Sequence, residues 1–570
     1  MVLSWKIATL QEIQHRNEGI LMLQQTWNRL WSLHDQVKDV FRFFTAPDSS
    51  EMVKGGQGGK KIGVNHEGGG RDSRSYSATQ LIGLILGPLL FSLILLFFKP
   101  ADLSAAGIAI LASTVWIAVW WITEAIPIPV ASLLPLVLFP MTGGLEMKDT
   151  ASSYGDETIF LFMGGFMIAL ALEKWNLHRR IALTIISAIG TNMDKIVLGF
   201  MVATGFLSMW ISNTATAMMM VPIGLAIITQ VTIALKDDTS IDTSKENFGF
   251  GKALMLGIAY SASLGGVATL IGTPPNTLLA GAINKIYGIE LSFGKWMLFG
   301  VPFAWVFILL TWWYLVKIIY KSPVKTLPGG REVIDKEKKL LGRPSIEEVL
   351  VFIVFALAAF SWITRSFFLS KFIDGLSDGV IAIVFAMILF IIPSVNKKGD
   401  HLLDWNTAVK LPWGILLLFG GGLAIAAGFV SSGLSEWIGA QLIGLKGVPL
   451  IVIILIVATL VIFLTEITSN TATASMMYPI MASLAVALGF HPYALMIAAG
   501  VAASCAFMLP VATPPNAVVF GSGYLRIPDM AKAGFALNIL GVVLVTLCIY
   551  FLLPLLWGID FQTIPKVFKD

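Results

Sequence analysis

FLSMWISNTATAMMMVPI, residues Phe206 to Ile223, is written a second time 257 positions later as FLTEITSNTATASMMYPI, residues Phe463 to Ile480, with 12 of 18 places identical. An internal repeat of this kind decides the fold before any single residue does. Each copy sets a run of small polar residues between two apolar arms: Ser212, Asn213, Thr214 and Thr216 in the first, Ser469, Asn470, Thr471 and Thr473 in the second. Polar atoms at membrane depth cost energy unless they are paired or line a cavity. Two such clusters in one chain predict a shared binding site.

The surrounding composition makes membrane depth the right frame. The chain has 570 residues, of which 56% are hydrophobic and only 13% charged, against roughly 25% charged in soluble domains. Its apolar runs are continuous for about twenty residues, the length of a spanning helix, and lack the ten-residue alternation of a membrane barrel. The expected fold class is an all-α polytopic membrane protein. A formal net charge of +4, dispersed along the chain, gives no support to nucleic acid as a partner. Cys505 and Cys548 both lie in apolar runs, which gives no support to a disulfide framework or a metal site.

Outward from the repeats, the chain divides into four parts. Residues 1–76 form a polar extension and linker with ten Lys/Arg against eight Asp/Glu and a Gly-rich stretch from Gly55 to Gly70. Leu10, Ile13, Ile20, Trp27, Leu30, Trp31, Val37 and Phe41 fit either an interfacial amphipathic helix or a solvated basic tail. Residues 77–320 carry spans at Ser77–Phe98, Ser104–Thr123, Ile126–Gly143 and Thr158–Leu172, then the first polar repeat within Asp194–Gln230. A span over Lys252–Ile286, interrupted at GTPPN, and another over Trp296–Leu315 complete that half. Residues 321–346 are a basic connector. Residues 347–570 repeat the plan, with helices near 347–364, 379–393 and 411–430, the second polar repeat near 449–485, an interrupted span near 490–520 and a last helix near 532–556. The total is about 11 transmembrane helices plus two re-entrant hairpins.

FMGGFMIA at Phe162–Ala169 matches FGGGLAIA at Phe419–Ala426 at the same offset of 257. An odd number of crossings separates the copies, so the halves are two inverted-topology repeats, as in many secondary transporters. The excess of Lys/Arg at Lys174, Arg179 and Arg180, in the connector and at Lys397 and Lys398 marks the cytoplasmic side. The amino terminus is then cytoplasmic and the carboxyl terminus extracellular.

A third pairing is IGTPPN at Ile271–Asn276 with VATPPN at Val511–Asn516. Proline lacks the N–H that would bond the carbonyl four residues back, so Pro274 and Pro275 free the carbonyls of Leu270 and Ile271, and the spans break there. Freed carbonyls and hydroxyls suit a hard cation such as Na⁺, and half-helix amino termini suit a carboxylate. Ser208 and Ser212, like Thr465 and Ser469, are spaced to share one helical face, with Asn213 and Asn470 at the turns. Single Ser/Thr/Asn residues act as helix–helix glue; two SNTATA and two TPPN copies in opposed halves exceed that reading. No Lys or Arg occurs in 196–235, 253–284 or 447–525, so the charge of a bound anion falls to helix dipoles and co-bound cations. Glu466 is the one acid in these windows, either a functional carboxylate or a holder of backbone partners. Glu124, beside Pro127, reads as structural. GLSDG at Gly375–Gly379 matches the nucleophile pattern G-x-S-x-G but lies in a connector rather than on a strand–turn–helix. No catalytic residue is assigned and no enzyme activity is expected.

ISNTATA, IGTPPN, TSNTATA, VATPPN and WWITEAIPIP together resemble the divalent anion/sodium symporter family. From about Gln80 onward the chain is similar to bacterial sodium/dicarboxylate symporters. The resemblance implies sodium-coupled symport of C4-dicarboxylates such as succinate, malate and fumarate, by an elevator movement within a homodimer in the lipid bilayer. It implies at least two sodium ions and no organic cofactor. By motif position one Na⁺ site falls at Ser208, Ser212, Asn213 and Gly272, and a second at Thr465, Thr468, Asn470 and Ala512. The substrate falls between the tips, at Ser212, Asn213, Thr214, Ser469, Asn470, Thr471, Thr513 and Pro514. Some relatives exchange dicarboxylates such as 2-oxoglutarate without sodium, and others carry citrate or sulfate with it. The long amino-terminal extension departs from close members.

Overall fold

The computed structural model describes residues 76–190, 192–235, 242–245, 247–321 and 330–568. The expectations for residues 1–75, including the amphipathic helix and the Gly-rich linker, lie outside the described residues. The helices are α1 (Ala78–Phe97), α2 (Ala105–Thr123), α3 (Leu134–Thr142), α4 (Glu157–Lys174), α5 (Leu177–Ile189), α6 (Met193–Ser208) and α7 (Asn213–Ala234). Next come α8 (Gly249–Gly266), α9 (Pro274–Tyr287), α10 (Phe293–Trp313), α11 (Gly330–Leu341), α12 (Ile346–Arg365), α13 (Asp378–Ile391) and α14 (Trp413–Ser431). The chain ends with α15 (Leu434–Gln441), α16 (Leu450–Thr465), α17 (Asn470–Leu488), α18 (Tyr493–Ala503), α19 (Pro514–Phe520) and α20 (Ile527–Leu547). Shorter helical turns fill several of the connections.

Among the described residues, nine helical stretches are long and apolar enough to cross a membrane. They include α7 and α17, the second arms of the two polar repeats. The stretches 128–142, 378–391, 450–465 and 493–503 are apolar but shorter. The protein is therefore a multi-pass membrane protein whose elements, among the described residues, are all helices. The span expected at Ile126–Gly143 is divided into Ile128–Ala131 and α3, because Ser132 turns its hydroxyl back onto the Ile128 carbonyl at 2.7 Å and Pro135 opens the next helix. Within the basic connector a helix forms, α11. Arg179 and Arg180 of α5 hold that region through Glu337 of α11 and Glu348 of α12.

Helix ends follow local sequence. Ser77 and Gln80 form a reciprocal cap on α1, with Gln80 N–H donating to Ser77 Oγ at 3.2 Å and Ser77 N–H to Gln80 Oε1 at 3.0 Å. Glu124 takes a left-handed conformation at the end of α2, and its carbonyl accepts from Gln80 Nε2 at 3.2 Å, a structural role. Ser377, the serine of GLSDG, caps α13 by accepting from Val380 N–H at 3.2 Å. Gly164 permits the α4–α13 crossing, since a Cβ there would lie 2.7 Å from the Ala382 backbone. The paired FMGGF and FGGGL segments meet directly, with the Phe162 and Phe419 rings 4.8 Å apart.

The arrangement around the polar repeats is crossed. In the first half α6 packs on α8, and in the second α16 packs on α18. The second arms then exchange partners: α7 packs on α19 and α17 on α9. Tyr478 of α17 fastens this exchange, donating to the Pro275 carbonyl at 2.6 Å. Each SNTATA helix therefore rests against the TPPN half-helix of the other half.

Candidate functional site

Both polar repeats turn at their serine or threonine. Ser208 ends α6 and Ser212 stands at the cap of α7, where it accepts from Ala215 N–H at 3.2 Å. Thr465 ends α16, and Ser469 stands at the cap of α17. The shared helical face expected for each hydroxyl pair is therefore not formed. Serine followed by asparagine favours a helix start over helix continuation, and the turn separates the two hydroxyls.

Four polar groups converge in the first half. Ser208 Oγ lies 2.6 Å from Asn213 Oδ1 and 2.7 Å from the Ala262 carbonyl. The same amide corner of Asn213 is 3.1 Å from that carbonyl and 3.2 Å from the carbonyl of Gly272. Its partners favour the NH₂ turned inward, donating to both carbonyls and to Ser208 Oγ; rotated about its last bond, the amide presents Oδ1 instead and the set becomes wholly oxygen. An all-oxygen set built from hydroxyl, amide and carbonyl groups is the ligand chemistry of a hard cation. Glycine makes the room. A Cβ on Gly266 would sit 2.6 Å from Asn213 Oδ1 and 3.0 Å from the Gly272 carbonyl, and one on Gly272 would sit 2.5 Å from the Gly266 carbonyl. Gly266 was not legible as a site residue from spacing; the Gly265–Gly266 pair that ends α8 was the available signal.

The second half repeats the motif with changes. Thr465 Oγ1 donates to Asn470 Oδ1 at 2.7 Å and lies 3.0 Å from the Ala503 carbonyl. Thr468 is turned elsewhere, 2.8 Å from the Leu464 carbonyl and 2.6 Å from Thr473 Oγ1. Ala512 is buried in the turn before α19, its N–H donating to Leu509 at 3.2 Å. Thr513 caps α19 by accepting from Asn516 N–H at 3.2 Å, and Pro514 is that helix's first residue. Thr214 and Thr471 occupy the second positions of α7 and α17, so Asn213, Thr214, Asn470 and Thr471 form the amino-terminal ends of two long helices. Those ends carry partial positive charge in windows free of Lys and Arg.

The breaks differ in place from the expectation. Helix α8 stops at Gly266 and α18 at Ala503, several residues before the proline pairs, which instead open α9 and α19. Proline suits a first helical turn because its missing N–H has no partner to lose there. The unwound backbone is held by side chains that the motif reading missed. Asn276 Nδ2 donates to the carbonyls of Gly266, Val267 and Thr269 at 3.2, 3.0 and 2.7 Å. Asn516 Nδ2 donates to those of Ala506 and Leu509 at 3.2 and 3.0 Å. The Leu270 carbonyl, expected to be freed, accepts from Thr277 Oγ1. The last residue of TPPN is thus a loop clamp.

Glu466 resolves in favour of backbone partners. Its carboxylate accepts from the N–H groups of Phe507, Met508 and Leu509 at 2.7, 2.9 and 3.1 Å and from Asn538 Nδ2 at 2.8 Å.

Comparison with known proteins agrees with this architecture. Residues 78–558 match the family described as the sodium:sulfate symporter transmembrane region, and the chain belongs to that family. Among its relatives, the sodium-dependent dicarboxylate transporter SdcS of Staphylococcus saprophyticus is 51% identical over 493 residues, covering 86% of this chain and 94% of the relative. The protein of that name from Staphylococcus aureus strain USA300 is 50% identical over the same shares. Two solved structures share the fold at low identity. Neisseria gonorrhoeae MtrF aligns with a TM-score of 0.50 at 14% identity, over 84% of this chain and 96% of that one. The Alcanivorax borkumensis YdaH transporter aligns with a TM-score of 0.50 at 15% identity, over 71% and 87%.

Proposed function

We propose that this protein is a sodium-coupled secondary transporter that carries C4-dicarboxylates, such as succinate, malate and fumarate, into the cell. The observation that carries the reading is the cluster of hydroxyl, amide and carbonyl groups at Ser208, Asn213, Ala262 and Gly272, repeated in part at Thr465, Asn470 and Ala503. The names of the SdcS relatives support both the ion and the substrate class.

One Na⁺ is bound at Ser208, Asn213 and the carbonyls of Ala262 and Gly272, with Ser212 completing the turn. A second is bound around Thr465 and Asn470, with backbone from Thr468, Ala503 and Ala512. The dicarboxylate lies between the two tips, against Ser212, Asn213, Thr214, Ser469, Asn470, Thr471, Thr513 and Pro514. Its charge is met by the ends of α7 and α17 and by the two cations, since the windows lack Lys and Arg. Coupling follows from this deficit: the dianion without its cations is desolvated at a cost of several kcal/mol per charge.

The two halves are inverted repeats, α6–α7 and α16–α17 are re-entrant hairpins, and eleven spans leave the amino terminus inside and the carboxyl terminus outside. The crossed packing of α7 on α19 and α17 on α9 supports one rigid site-bearing unit. It moves as an elevator against a scaffold within a homodimer. Uptake of labelled succinate into proteoliposomes tests the reading: an inward Na⁺ gradient drives accumulation, and choline replacement removes it. Undiminished exchange in choline would favour a sodium-independent exchanger.

A further inference from the structure

An ion cluster sits on the seam between two packed groups of helices. On one side α9 packs on α17, and α10 on α6 and α8, the helices that carry the site. On the other side α12 and α13 pack on each other, and α13 on α4. Arg365, the last residue of α12, is only 5% exposed. Its Nε donates to Asp378 Oδ1 at 2.6 Å and its Nη2 to Asp378 Oδ2 at 3.2 Å. The other edge of the guanidinium reaches across the seam to the Glu290 carboxylate, in the loop between α9 and α10. Asp378, the first residue of α13, crosses as well, accepting from the Phe293 N–H of α10 at 2.7 Å.

The packing is tight at the same place. A Cβ on Gly294 of α10 would sit 2.7 Å from the Ile363 carbonyl of α12. The Phe293 ring stacks on Trp362 of α12 at 5.0 Å and on Trp210 at 6.1 Å. Trp210 lies in the turn between Ser208 and Ser212, so packed rings join the seam to the first polar cluster. A small cavity lies beside the ion cluster, lined in part by Glu157 and Leu161 of α4, Asn284 of α9, Leu291 and Gly379. A guanidinium fork holds its carboxylates in one fixed geometry. Sliding α10 along α12 by a few ångströms therefore breaks the contacts to Glu290 and Phe293 and leaves the Arg365–Asp378 pair whole.

We propose that Arg365, positioned by Asp378, is a latch that holds the site-bearing unit on its scaffold and opens in every transport cycle. This rests on the reading above in which one unit moves against the other. Arg365 is a positioning residue, since its polar partners are Glu290, Leu376 and Asp378 and none belongs to the cation clusters or the tips. The Glu290 side chain is 53% exposed, so its pair is a solvated one, and losing it shifts the opening equilibrium about two- to fivefold.

The test is alkylation of the thiol in Leu161→Cys, a buried cavity position, by a water-soluble reagent in the reconstituted full-length protein. Native Cys505, buried beyond α18, is the internal control. Glu290→Gln should speed modification at position 161 about two- to fivefold and leave Cys505 unchanged. Arg365→Lys, which keeps a cation for Asp378 and loses the fork, should speed it further. Turnover of labelled succinate uptake should change in the same rank order, with equilibrium succinate affinity in saturating Na⁺ unchanged. If Arg365→Lys does not fold, Glu290→Gln, at an exposed side chain, decides alone. A parallel rise at Cys505 means general loosening and overturns the proposal. Unchanged modification at position 161 overturns the latch and leaves sodium-coupled transport standing. Faster modification with unchanged turnover shows that this seam is not the surface that moves, and overturns the latch together with the moving-unit reading.

Discussion

The first polar cluster is lined by glycine where the second carries alanine: Gly266 and Gly272 stand where the TPPN alignment puts Ala506 and Ala512. The first is uncharged, and the second has Glu466 beside it. In the first half three carbonyls of the unwound segment are gathered by Asn276, and in the second two by Asn516, with Glu466 holding the amides of the same segment. The halves thus solve one problem, holding open backbone at membrane depth, with different means. Glycine lets backbone oxygens close on a small volume; a carboxylate permits a looser turn because it satisfies three N–H groups at once.

The largest expected effect comes from filling the glycine cradle. Gly266→Ala puts a methyl group 2.6 Å from Asn213 Oδ1, and overpacking of about 1–3 kcal/mol lowers sodium-dependent uptake roughly tenfold to hundredfold. Ala506→Gly, the reverse change in the other half, leaves uptake within about twofold, a loss of a few tenths of a kcal/mol at a non-helical position. Equal effects of the two changes would break the comparison.

Next come the tips. Asn213→Ala and Asn470→Ala each lower uptake about tenfold while the protein still purifies as a folded species, because both residues are half-buried at helix starts rather than set in the packed core. Transport near the wild-type rate in either variant would make that tip structural.

The clamps come third and are read in stability. Asn276→Ala removes an NH₂ whose two hydrogens are shared among three carbonyls, and Asn516→Ala one that serves two; each costs about 1–3 kcal/mol, so the two variants should show similar falls in thermal midpoint. The smallest expected effect is that of Ser208→Ala and Thr465→Ala on turnover: each raises the sodium concentration for half-maximal uptake and leaves the maximal rate near wild type. A lowered maximal rate with unchanged sodium requirement would remove these hydroxyls from the cation sites.

What could be read from sequence was what the chain repeats. The SNTATA and TPPN pairs drew attention to Ser208, Asn213, Thr465 and Asn470 because polar residues stand out in apolar runs, and the structure joins each hydroxyl to its asparagine. Ala262 stayed hidden, since a ligand that acts through its carbonyl leaves no mark in its side chain, and Gly266, which acts by lacking a Cβ, showed only as half of the Gly265–Gly266 pair. The position of the breaks was misread because Pro274 and Pro514 were weighed as breakers, while the helices stop earlier and the prolines begin the next ones. The partners of Glu466 lie 41 to 72 residues away in sequence, and the exchange of α7 and α17 between halves is a long-range pairing that no local pattern encodes.

The account rests on cations meeting a charge that the protein does not meet itself. Dicarboxylate binding by the purified protein across a Na⁺ titration at constant ionic strength tests this most directly. Apparent affinity should climb steeply and cooperatively with Na⁺, as expected for at least two ions bound with each dianion, and by linkage the dicarboxylate should tighten Na⁺ binding by the same factor. Equal dicarboxylate affinity with and without Na⁺ would contradict it.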